Sequence, residues 1–353
     1  MTFRRGPLAI LLLVAIAFAA TASATLAQTK PPSPLRIAVS STPIDVFSRG
    51  EPERRRFGSL EFRGGLILTS TEEKFGGISG IRIAPDGSQF LAITDRGYWL
   101  RGSLVANGDK PAGIANAEIA PMRAAGGTLA KRGWFDTESI AADGDTIYVS
   151  IERVHRIVRF DFAKGGLAAP ARPINTPRAF GKLPSNQGIE GMVFVPKDRP
   201  LGGTLIAISE RGLDKAGNIR GFLIGGATPG EFTVRRRDEF DVTEVALIPG
   251  GDLLVLERHF SFLRGVGMRI RRIPLETIKP GALIDGATLI QAGNAHQIDN
   301  MEAMAVHKNA AGEPIITLVS DDNFSRLQQT ILLRFALIED LREWPRVRLR
   351  RLP

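Results

Sequence analysis

Five short segments of the 353-residue chain repeat one arrangement of reactive side chains: Gly77-Ile78-Ser79-Gly80, Asp136-Thr137-Glu138-Ser139, Gly188-Ile189-Glu190-Gly191, Val242-Thr243-Glu244-Val245 and Asp299-Asn300-Met301-Glu302. Aligned on these segments, Ser79, Glu138, Glu190, Glu244 and Glu302 share one position, and four of the five are carboxylates. Carboxylates gathered at one place repel one another, and a hard divalent cation taking about six to eight oxygen ligands relieves that repulsion; Ca²⁺ is the natural candidate. Glu138, Glu190 and Glu302, together with Asp299 and Asp321, are therefore the expected metal ligands. A cation held there polarises a phosphate ester or lowers the pKa of a water. The same carboxylates could instead cap their own strands or pair with nearby arginines, and the sequence leaves both readings open.

A second recurrent pattern is an acid followed by arginine: Asp95-Arg96, Glu152-Arg153, Glu210-Arg211 and Glu257-Arg258, with Asp322-Asn323 as its variant. Guanidinium groups lining a cleft recognise phosphate or carboxylate in a bidentate manner, so Arg96, Arg153, Arg211 and Arg258 are the expected substrate clamps. The alternative is that they tie neighbouring sheets together through ion pairs. Successive residues of a strand face opposite ways, so the acid and the arginine of a pair serve different partners.

Other chemistries are excluded or unsupported. With no cysteine there is no disulfide, thiolate nucleophile or cysteine metal site. Gly77-Ile78-Ser79-Gly80-Ile81 lacks the last glycine of a nucleophile elbow, and the four histidines, His155, His259, His296 and His307, have no zinc spacing. No phosphate-binding loop or dinucleotide fingerprint is present. Nucleic acid is not an expected partner, because no aromatic-basic face is legible.

The elements that must position these residues are strands. Ile81-Arg82-Ile83-Ala84, Phe90-Leu91-Ala92-Ile93 and Asp252 to Leu256 read as strands. Turns such as Pro85-Asp86-Gly87, Asp143-Gly144-Asp145 and Pro249-Gly250-Gly251 join them through glycine at positive φ. Third strands follow, for example Met268-Arg269-Ile270-Arg271-Arg272-Ile273, read with its polar residues facing solvent. The acids at 95, 152, 210, 257 and 321 return every 47–64 residues, the length of one four-stranded sheet. The expected fold is an all-β propeller of six blades. In it Leu35–Val39, Leu60–Leu68 and Thr330–Phe335, from the two ends of the chain, close a composite sixth blade; a β-sandwich or a pair of open domains is the alternative.

Arg4-Arg5 precede an apolar run to about Ala20 and small residues ending at Ala27, which predicts a secretory signal over 1–27. The organisation read from the sequence is then 28–59 as an N-terminal segment with the first strand, 60–336 as the propeller, and 337–353 as a basic tail. No later segment is apolar enough to span a bilayer, so the expectation is a monomer in the periplasm or outside the cell. The net charge of +9 favours a small anionic partner such as a phosphate ester.

Taken in order, Gly76-Gly77-Ile78-Ser79-Gly80 with Asp95-Arg96-Gly97, Glu190-Gly191 after Asn186, Leu254-Val255-Leu256-Glu257-Arg258, Asp299-Asn300-Met301-Glu302 and Ser320-Asp321-Asp322-Asn323-Phe324-Ser325 resemble the phytase-like domain family, "esterase-like activity of phytase". The resemblance covers roughly residues 60–336 and implies a propeller related to calcium-using phosphate-ester hydrolases, with a strongly acidic channel, whereas the chain as a whole is basic. The expected function is an exported, calcium-assisted hydrolase of phosphoric or other esters. The competing expectation is a non-catalytic periplasmic propeller that binds a ligand or a protein at the same mouth.

Overall fold

The computed structural model describes residues 33–261 and 265–338. The expected signal over 1–27 and nearly all of the 337–353 tail lie outside the described residues. Within them the chain forms a ring of five sheets, antiparallel except for the edge strand Leu283–Ile284 of the third, each entered through its innermost strand: Ile78–Ile83, Thr137–Asp143, Ile189–Phe194, Asp241–Leu247 and Met301–Lys308, here blades I to V. Each inner strand packs beside the next, and that of blade V packs beside that of blade I, which closes a β-propeller.

The composite blade exists, but it completes the fifth repeat and adds no sixth. Blade V holds Met301–Lys308, Pro314–Ser320 and Thr330–Leu337 from its own repeat. Leu60–Thr69 pairs with the last of these, and Ser40–Ile44 pairs with Leu60–Thr69. Leu35–Arg36 goes elsewhere, onto the outer edge of blade I against Ile119 and Glu118. Leu60–Thr69 and Thr330–Leu337, two of the strands expected in a sixth blade, are thus consumed in closing the ring, where their hydrogen bonds hold it shut.

Alternation explains the packing. Five buried apolar clusters lie one at each junction between blades. In Leu253–Ser261, Leu254 and Leu256 enter the cluster shared with blade V, and Leu253 and Val255 the cluster shared with blade III. Both faces of a sheet are therefore apolar, and each side chain buried there stabilises the ring by about 1.5–3 kcal/mol. Where inner strands crowd, the residue must be small: a Cβ on Gly191 would lie 3.0 Å from Val245 Cγ1 and 3.2 Å from its amide nitrogen.

One register detail positions the site. In every inner strand the pairing slips by one residue near its start. The bulge falls on Ser79, Glu190, Thr243 and Glu302, and in blade II on Glu138-Ser139. A bulge re-aims the side chain it carries, and here it does so at one mouth of the ring.

Candidate functional site

Register sets two tiers of equivalent positions. The bulge tier is Ser79, Glu138, Glu190, Thr243 and Glu302. Just before it Ile78, Thr137, Ile189, Val242 and Met301 pair with Thr94, Ile151, Ser209, Glu257 and Ser320. The next residues, Asp95, Glu152, Glu210, Arg258 and Asp321, form the second tier.

This corrects the alignment of blade IV by one residue. Glu244 does not share the position of Glu138, Glu190 and Glu302. Its carboxylate accepts from Ser139 Oγ at 2.8 Å, Val245 N at 2.9 Å and Met192 N at 3.3 Å, and its other oxygen is buried without a partner. Glu257 turns away as well. It is fully buried between Arg269 Nε at 2.7 Å, Arg271 Nε at 2.8 Å and Arg271 Nη2 at 2.5 Å. Arg269 and Arg271, read as solvent-facing, are 2% and 0% exposed.

At the mouth the two tiers, with Asp136 beside them, bring together Asp95, Asp136, Glu138, Glu152, Glu190, Glu210, Glu302 and Asp321. One oxygen from each of Asp136, Glu138 and Glu152 lies within 4.8 Å of the others, and the same holds for Glu152, Glu190 and Glu210. Burial first, then mutual repulsion, pushes the carboxyls of Glu138 and Glu190 well up. Burial raises Asp95 to about 6, Glu152 to about 7 and Asp321 to about 9. Like charge adds to burial at Glu152, from Asp136 and Glu210, and at Asp321, from Glu302 and Asp95. The basic chain thus carries an acidic mouth.

Blade IV supplies the counter-charge. Arg258 occupies an acid position, donates to Glu302 Oε1 at 2.5 Å and to Glu210 Oε1 at 3.3 Å, and also bonds Asn300 Oδ1. Burial works against its charge, but Glu302, Glu210 and Glu190 outweigh it and hold its pKa above the ordinary range.

Of the five expected metal ligands, the structure brings Glu138, Glu190, Glu302 and Asp321 together. Asp299 instead accepts from Asn300 N at 2.8 Å and Gln329 N at 3.0 Å, which anchors the loop after Pro314–Ser320. Of the four expected clamps, only Arg258 enters the tiers. Arg96 lies 3.3 Å from the ring centroid of Phe324 and Arg153 4.4 Å from that of Phe135, while Arg211 pairs with Asp241. Asp95, Glu152 and Glu210 were legible as the acids that end the second strands, yet the sequence reading assigned only Asp321 of that set to a metal. Gly77 lets these parts meet: its φ is +59°, and a Cβ there would strike Asp95 and Phe324.

A cleft of about 840 Å³ opens beside this cluster, lined by Glu210 and Arg258 from the tiers and by Arg49, Arg211 and Asp241. The profile of the family described as phytase-like, "esterase-like activity of phytase", matches residues 73–324. The chain belongs to the phytase-like family. The match runs from just before the blade I inner strand to Phe324 at the mouth, and so covers all five inner strands of this phytase-like propeller.

No curated protein matches the chain. Among solved structures, an α-L-arabinofuranosidase from Podospora anserina in complex with cellotriose is similar at 11% identity and a TM-score of 0.48, over 79% of this chain and 97% of that one. The PQQ-bound aldose sugar dehydrogenase of Streptomyces coelicolor is similar at 12% identity and a TM-score of 0.39, over 87% and 100%. The glutaminyl cyclase of Myxococcus xanthus is similar at 11% identity and a TM-score of 0.38, over 75% and 92%. No helix among the described residues is long and apolar enough to cross a membrane.

Proposed function

We propose that the phytase-like propeller is an exported, metal-assisted hydrolase of phosphoric or other esters, working on a small anionic substrate at the acidic mouth. The observation that carries this reading is the sharing of Glu210: it belongs to a carboxylate set whose oxygens lie within 4.8 Å of one another, and it also lines the arginine-bearing cleft.

The residues suit a hard cation. The donors are all carboxylate oxygens, two sets have ligating separation, and Asp95 Oδ1 is buried with no hydrogen-bond partner. Glu138, Glu152, Glu190 and Glu210, with Asp136, would hold Ca²⁺. Such an ion, once bound, supplies charge neutralisation at an ester oxygen and acidifies water. The chain's own residues do the rest. Arg258 and Arg211 offer guanidinium donors to the substrate anion from the cleft side, and the Arg258 contacts to Glu302 and Glu210 fix that donor beside the carboxylates. The bulges hold Glu138 and Glu190 on inner strands, and Glu210 lies on the second strand of blade III.

The test is thermal unfolding of residues 28–353 in EDTA and after Ca²⁺ addition, followed by a turnover screen of phosphate and carboxylic esters on the same samples. Calcium at about 100 times its Kd should stabilise by about 2.7 kcal/mol, and turnover should follow calcium. Glu190→Gln and Glu302→Gln should abolish turnover while the protein stays folded. A calcium response without turnover of any ester would favour the binding propeller; neither response would remove the metal reading as well.

A further inference from the structure

Six large apolar side chains stand exposed among the described residues, and the two most exposed, Leu327 at 94% and Phe260 at 64%, both border the cleft beside the acidic mouth. An isolated exposed leucine needs no explanation, but two that meet at one cleft mark a surface that contacts something apolar. Ile298 adds to the same lining.

The Leu327 loop is anchored. Asp299 Oδ2 accepts from Gln329 N at 3.0 Å, its Oδ1 from Gln328 Nε2 at 3.4 Å, and Ser325 Oγ from Leu327 N at 3.2 Å. The opposite chemistry lies in the same cleft. Arg49 is held by Asn294 O at 2.9 Å and Gln297 Oε1 at 3.3 Å, and Arg211 and Arg258 bring two more guanidinium groups, paired within the same cleft to Asp241 and Glu210. The cleft is therefore amphipathic. A polyol carrying phosphate on every face would press charge against Phe260 and Leu327, and desolvating that charge costs free energy that nothing apolar returns. An anionic ester of an apolar alcohol satisfies both walls at once.

Accepting the mouth as an anionic-ester site, we infer that its substrates are anionic esters of aryl or alkyl alcohols, with the apolar group against Phe260 and Leu327 and the anion on Arg49, Arg211 and Arg258. The apolar wall selects among esters by burying the alcohol, and the arginines do not discriminate between alcohols.

Binding of non-hydrolysable probes by calorimetry, with calcium present, separates this inference from the hydrolase reading. 2-Naphthylmethylphosphonate should bind about tenfold more tightly than methylphosphonate. Phe260→Ser and Leu327→Ser should each cut that advantage by about threefold, with melting temperatures checking that each variant stays folded. Equal binding of the two phosphonates, tightest binding by phytate, or an advantage indifferent to both variants would overturn the inference. A naphthyl preference without turnover of any ester would keep this ligand class and sink the hydrolase. Turnover of small esters together with equal phosphonate binding would keep the hydrolase and sink the ligand class.

Discussion

Two buried charge clusters meet in the sequence at Glu257 and Arg258 and are built on opposite logic. In the wall of blade IV, Glu257 is enclosed by Arg269 and Arg271, which reach out to Asp238 at 3.0 Å and Asp285 at 2.9 Å. Every charge there has a partner. At the mouth, eight carboxylates share the single arginine Arg258, and burial pushes the carboxyls of Asp95, Asp136, Glu138, Glu152, Glu190, Glu210 and Asp321 up. The first cluster is complete as folded, whereas the second is complete only with protons or a cation. Buried charge alone therefore says little about function; a buried imbalance of charge is the informative feature.

The largest expected effect breaks the balanced cluster. Glu257→Ala leaves two buried guanidinium groups with only rim carboxylates, and should cost about 3–5 kcal/mol in urea unfolding, with calcium making no difference. A loss under 1 kcal/mol would show that Arg269 and Arg271 rest on Asp238 and Asp285 alone. The matching change at the mouth is Arg258→Met. Losing charge-assisted hydrogen bonds to Glu302 and Glu210 should cost about 1.5–3 kcal/mol in EDTA. Calcium should restore most of that loss, because a cation replaces a cation. The same deficit with and without calcium would make Arg258 a fixed structural tie and erase the contrast between the two clusters.

How far the sequence foretold this contrast depends on register. The five repeats were visible because an acid or a small residue opens each inner strand, and the propeller follows from that. The blade count was not, since pairing between Leu60–Thr69 and Thr330–Leu337 is a contact between distant ends with no local signature. In blade IV the type match misled: Glu244 and Glu257 look like their counterparts elsewhere, but each lies one residue from the equivalent position. A one-residue slip sends a side chain to the other face. A signal existed in Met268-Arg269-Ile270-Arg271, whose two arginines alternate onto one face, Arg269 directly across from Glu257. The loop contacts of Asp299 were not legible for a related reason, because neighbouring acids in sequence do not disclose which one a loop will use as an anchor.

The smallest expected effect is a pH slope, and it tests the imbalance most directly. Carboxyls whose folded pKa is raised favour the folded state fully below their unfolded values of 3.8 and 4.5, and lose that contribution as pH climbs through their folded values. For Asp95, Glu152 and Asp321 those values are about 6, about 7 and about 9. Calcium-free protein should therefore lose stability between pH 5 and pH 9 more steeply than a Glu152→Gln, Asp321→Asn double variant, which lacks two of these ionisations. Calcium requires the ionised forms, so its stabilisation should grow with pH and flatten the wild-type slope. Urea midpoints at pH 5, 7 and 9, with EDTA and with calcium, measure this directly. If the wild type in EDTA runs parallel to the double variant, the mouth carboxylates ionise without penalty, and the mouth is a balanced cluster like the one in the wall of blade IV.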